Sequence, residues 1–91
     1  MKGKTKSGFK FDIDERVLTD WRFTIAVAKT QGEDTLQKLA GANEMVELLL
    51  GAEGHQALIA HVAAANDGYV PSDVFMEEVT EIMQSSAKTK N

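Results

Sequence analysis

Cysteine is absent from this 91-residue chain. Small secreted folds usually rely on disulfides, so a reducing cytoplasm is the expected compartment. No apolar stretch approaches the roughly 20 residues that cross a bilayer, and no membrane partner is expected. The basic N-terminus is followed by no apolar run of the kind a signal peptide carries. Proline occurs once, at Pro71, and tryptophan once, at Trp21. The chain also lacks a glycine-rich phosphate loop and a nucleophile elbow, and Ser72, Ser85 and Ser86 have no convincing histidine partner. Enzyme activity is therefore not expected, and neither is a cofactor.

Basic residues are scarce where they would matter for nucleic acid. Six of the ten lie at the ends: Lys2, Lys4, Lys6, Lys10, Lys88 and Lys90. Between Asp12 and Glu81 the chain has four basic residues against 14 acidic ones, a net charge of −10. Such a body repels a phosphate backbone, whereas nucleic-acid binders present a basic patch on a folded surface. The lysine-rich ends read as solubilising tails.

What is present fits one small domain. Forty-three per cent of the residues are hydrophobic, enough for a thin core and too many for a disordered chain. A core this thin gains from oligomerisation or from a larger partner. Residues 1–7 read as a flexible basic N-terminus, 8–84 as a helical domain and 85–91 as a flexible tail. Phe9, Phe11 and Ile13 alternate with Lys10 and Asp12, the period of a half-buried strand. The segment around Tyr69 and Val70 and a second copy of the chain are both candidate pairing partners for it.

A first helix is expected to start between Asp14 and Thr19, either of which suits an N-cap, and to run to about Thr30. At 3.6 residues per turn, Val17, Leu18, Trp21, Ile25 and Ala28 share one face, with Phe23 and Val27 nearly opposite. A second helix spans about Asp34 to Leu50. Leu36, Leu39, Val46 and Leu50 form its stripe, Ala42 and Leu49 broaden it, and Leu48 projects away. Gly41 marks a kink or a close approach, and Gly51 suits a helix end. A third helix covers about Ala52 to Ala65 with Leu58, Ile59 and Val62. The turn Asn66-Asp67-Gly68 follows, and Pro71 opens a fourth helix. Phe75, Val79, Ile82 and Met83 form its apolar face, and Glu77, Glu78 and Glu81 an acidic one that is either solvated or meets a basic partner surface. The fold class is thus mainly α, a small single domain of about four helices preceded by a short N-terminal β-strand.

The candidate metal motifs fail on position. With Gly68 at the sixth place of a calcium loop, Ala63, Ala65 and Val74 fall where oxygen ligands are needed. His55 and His61 are six apart, not the four that would aim both at one zinc ion. His55 reads as a partly buried packing residue and His61 as a flank residue. Glu77 and Glu81 share a face but lack the unequal surroundings that acid–base catalysis requires. Two features point either to protein binding or to packing within the monomer: the second face of the first helix, and the methionines Met45 and Met76, since methionine fills irregular core gaps and also recurs at adaptable surfaces. The expected partner-contact residues are Phe23, Val27, Leu48 and Met76.

The run GFKFDIDERVLTDWRF, a helix ending in LLLG, then GHQALIAHV and DGYVPSDVFMEEVTEIM occur in that order. This order resembles the tail assembly chaperones of long-tailed (siphovirus-type) phages and prophages of Gram-positive bacteria. The resemblance covers about residues 8–84 and rests on the order of features, not on an active-site motif. It implies a protein that binds the tape-measure protein, keeps it soluble, helps recruit tail tube subunits and leaves as the tube forms. It implies the bacterial cytoplasm as location, with no place in the mature virion. Many such chaperones exist also in a frameshifted long form. This chain corresponds to the short form, and Lys88-Thr89-Lys90-Asn91 implies A-rich codons compatible with slippage. The alternative is a small phage-encoded regulator that binds and inhibits a host protein.

Overall fold

Three aspartates set where the helical structure begins in the computed structural model, which describes residues 1–89, with side chains through Ser85. Asp14 accepts the backbone N–H of Arg16 and starts a short 3-10 helix, Glu15–Thr19. Asp20 does the same with Arg22 and starts helix α1, Trp21–Thr30. Asp34 accepts the N–H groups of Leu36 and Gln37 at the start of helix α2, Thr35–Ala65. Each satisfies donors that a helix leaves unpaired at its N-terminus. At the first two caps the arginine two residues on also returns its guanidinium to the same carboxylate. Helix α3 is Ser72–Thr89. It continues past Ser85, where the polar composition predicts fraying. Lys90 and Asn91, the end of the expected tail, lie outside the described residues.

Among the described residues there are three α-helices, not four. The residues expected to form separate second and third helices run on as α2, bent at Gly51 (φ 77°, ψ 170°). Glycine reaches that conformation without a Cβ penalty. A straight helix of 31 residues would be about 46 Å long, and the longest dimension of the molecule is 35 Å. The bend therefore decides the fold. It divides α2 into a first limb (35–50) and a second limb (52–65). Glu47 and His55 meet across it at 2.6 Å.

The strand read at 8–13 is β2, Lys10–Asp12, and its partner is β1, Lys2–Lys4, not the segment around Tyr69. The N-terminal residues 1–7, expected to be a flexible tail, thus form half of an antiparallel hairpin. Gly3 stands opposite Phe11, and a Cβ on Gly3 would sit 2.5 Å from that ring. The small residue lets Phe11 fold across the strand pair. Polar, lysine-rich β1 is held by pairing, which composition does not register.

Phe9, Phe11 and Ile13 of the hairpin join Phe23 and Ala26 of α1, Met45, Val46, Leu49, Leu58 and Val62 of α2, and Val79 and Ile82 of α3 in one core. The face of α1 that carries Trp21 and Ile25 is the outer one. Trp21 is 73% exposed and Ile25 37%, whereas Phe23 is 4% exposed. The expected face was continued through Val17 and Leu18, but extended Asp20 (ψ 136°) separates them from α1 and resets the phase. On α2, Leu36 and Leu39 are exposed, and Gly41, Met45, Val46 and Leu49 face inward.

Candidate functional site

Gly41 resolves its two sequence readings in favour of close approach. A Cβ there would lie 2.6 Å from Lys29 Cβ and 2.7 Å from the Ala26 carbonyl oxygen. Seating α1 against Gly41, Met45 and Leu49 commits that face of α2 to the core. Leu36 and Leu39, on a different part of the first limb, are left outside. The bend at Gly51 then brings the second limb back beside them. Leu39, Ala42 and Asn43 of the first limb, His55 and Ile59 of the second, and Val70, Ser72, Phe75 and Met76 around the start of α3 line one open, mainly apolar groove of about 230 Å³. Val70 reaches it because the Asn66–Gly68 turn, with Asp67 and Gly68 at positive φ, redirects the chain from α2 to α3. Leu36 (77% exposed) and Tyr69 (75%), near Leu39 and Val70 in sequence, are also uncovered.

The groove is small for a cofactor, since small-molecule sites typically exceed roughly 300 Å³. It is larger than the roughly 150 Å³ that admits benzene. Its size suits one or two apolar side chains of a partner. His55 supports its wall: the ring is buried, bonded through Nδ1 to Glu47 and tilted against Phe75 at 5.9 Å.

Of the expected contact residues, Met76 lines this groove. Phe23 is a core residue and does not form an outward face with Val27. Val27 and Leu48 are half-buried against the core. Both faces of α1 are apolar, so pattern alone could not rank them.

The acidic face of α3 is also not simply solvated. Glu78 is buried, and its Oε1 accepts the hydroxyls of Thr5 (2.8 Å) and Ser7 (2.9 Å). Glu81 Oε1 accepts the backbone N–H of Lys6. His61 Nε2 lies 2.9 Å from Ser7 Oγ, and its ring tilts against Phe9 at 5.4 Å. With the serine proton directed to Glu78, the imidazole donates to Ser7 Oγ. A hydrolytic triad instead places the imidazole between serine and carboxylate. This network fastens the hairpin turn to α3. Its partners are about 70 residues apart in sequence, and no local pattern announces it.

Among the described residues, no group of three or more histidines, cysteines or carboxylates could hold a metal ion. No helix among them is long and apolar enough to cross a membrane. No family model, no curated protein and no solved structure matches the chain.

Proposed function

We propose that this protein is a non-catalytic phage tail assembly chaperone. On this reading it binds the tape-measure protein in the cytoplasm of the bacterial host, keeps it soluble and helps recruit tail tube subunits. The observation that supports the reading is the apolar groove between the limbs of α2 and the start of α3, left open with Leu39 and Val70 exposed at its edge. A chaperone for a long helical client needs such a surface, because an amphipathic client helix is soluble only while its apolar face is covered. Weak contacts repeated along one client reinforce each other through effective concentration. The resemblance of residues 8–84 to the chaperone family supplies the client's identity.

The test is genomic and then biochemical. The DNA after the Asn91 codon should hold a long helical reading frame just downstream, and a slippery heptamer there would add a long form. The product of that frame, insoluble alone, should become soluble and co-purify when expressed with this chain. A long frame whose product stays insoluble and separate under co-expression overturns the proposal. Absence of any such frame moves the reading to the regulatory binder of a host protein.

A further inference from the structure

Met76 lines two depressions, not one. On one side is the apolar groove. On the other is a wider cleft of about 590 Å³, lined by Lys6, Ser7, Asp73, Met76, Glu77, Glu78, Thr80, Glu81 and Gln84. Four carboxylates therefore border this cleft against a single lysine. None of the four makes an ion pair with a basic side chain among the described residues. Among the described residues, Glu78 and Glu81 receive neutral donors, the hydroxyls of Thr5 and Ser7 and the Lys6 backbone N–H. Asp73 accepts the neighbouring Val74 N–H. No basic side chain among the described residues is paired with this excess of negative charge, and it lies directly beside an apolar slot.

We infer that the two depressions form one composite site for an amphipathic helix of another protein. That helix carries bulky apolar side chains on one face and lysine or arginine along the edge of that face. The apolar groove admits one or two side chains, which is an anchor and not a whole ligand. Residues beside the anchor on the same bound helix then lie over Asp73 and Glu77, on the far side of Met76. Basic side chains there gain charge-assisted contacts, and acidic ones meet unpaired like charge, which suppresses wrong partners. Methionine at the shared wall adapts to anchors of different shape. The inference deepens the proposed function and rests on its placing of the client at this groove. It adds a sign of charge that composition and resemblance do not supply.

Three labelled synthetic helical peptides test it with the full chain: a leucine-striped helix with lysine edges, the same stripe with glutamate edges, and the lysine peptide with its leucines scrambled off the stripe. Binding is read by fluorescence anisotropy at two salt concentrations. The striped lysine peptide should bind best, by about tenfold or more over each of the others, and should weaken as salt rises. Leu39→Asp and Val70→Asp should each reduce binding of that peptide about tenfold. The double variant Asp73→Lys with Glu77→Lys should reverse the preference toward glutamate edges. All four positions are exposed, and unchanged circular dichroism confirms that each variant folds. Equal binding of the two striped peptides, or binding unaffected by the groove variants, overturns the inference. So does binding to none of the peptides. Self-association abolished by Leu39→Asp, without peptide binding, would assign the groove to a second copy and also overturn it. The two proposals fail separately. Peptide binding with no tape-measure client removes only the client's identity. A co-purifying client that ignores Leu39→Asp and the lysine pair removes only the composite site.

Discussion

Gly41 shows how a single residue can act against its own propensity. In an isolated helix, alanine there would gain about 1 kcal/mol over glycine. Here the new Cβ meets Lys29 Cβ and the Ala26 carbonyl oxygen, and a backbone oxygen cannot rotate away. Helix α1 must lift, loosening Phe23 and Ala26. Gly41→Ala should therefore lower stability by about 1–3 kcal/mol, measured by urea unfolding; a gain in stability would show that α1 does not sit against Gly41. The sequence marks this glycine as special because it interrupts a helical pattern. It does not mark Glu78 as different from Glu77 and Glu81, since one helical face carries no record of a hairpin turn more than 70 residues away. Trp21 is 73% exposed, and the pattern that puts it on one face of the first helix does not say which way that face turns.

At the scale of elements, some boundaries were legible while faces were not. Asp34, the Asn66–Gly68 turn and Pro71 act where local chemistry places them, whereas Gly51 bends α2 where a helix end was expected, and α1 starts at Trp21 behind Asp20, later than the expected start between Asp14 and Thr19. Which side of α1 turns inward depended on extended Asp20, whose backbone conformation no periodicity reveals. The same cap has a titration signature. The carboxyls of Asp14 and Asp20 are lowered from 3.8 to about 2, first by the hydrogen bonds from the Arg16 and Arg22 guanidinium groups, then by the backbone N–H groups of the same arginines. The unfolded chain takes up protons more readily at these sites. Their stabilisation is present above pH 3.8 and is lost as pH falls toward 2. Far-ultraviolet circular dichroism should show N-terminal helicity declining across that window. Asp20→Asn keeps a capping oxygen but no charge, and should weaken the decline; an unaltered acid profile would place it on other carboxylates. The bend gives a second prediction. Gly51→Ala holds a side chain at φ 77°, ψ 170°, a strain of about 1–3 kcal/mol. Thermal unfolding should register it as a lowered midpoint, whereas relief by straightening α2 would appear as a larger hydrodynamic radius.

At the scale of the molecule, Phe9, Phe11 and Ile13 bring hairpin side chains into the same core as buried residues from α1, α2 and α3. The alternation of those three residues made β2 legible. Its partner was not, because Lys2, Gly3 and Lys4 have no apolar pattern and pair only through their backbone. The groove was equally hidden, since it exists only when the bend returns Ile59 to Leu39 and the turn delivers Val70. Removing residues 1–8 should take away the partner of β2 and the hydroxyl donors of buried Glu78. Cooperative thermal unfolding should then be lost; a truncated chain that still melts sharply would show that the hairpin is an ornament on an independent helical core.

The tie between the hairpin turn and α3 also fixes an order of events in time. Translation delivers Thr5 and Ser7 early and their acceptor Glu78 late. Helix pairing between α1 and the first limb of α2 uses neighbours in sequence and can form while the ribosome is still working. Closure of the turn onto α3 waits until nearly the whole chain has emerged. During that interval Phe9 and Phe11 have no completed core to enter, so the nascent chain carries an exposed apolar segment until α3 emerges.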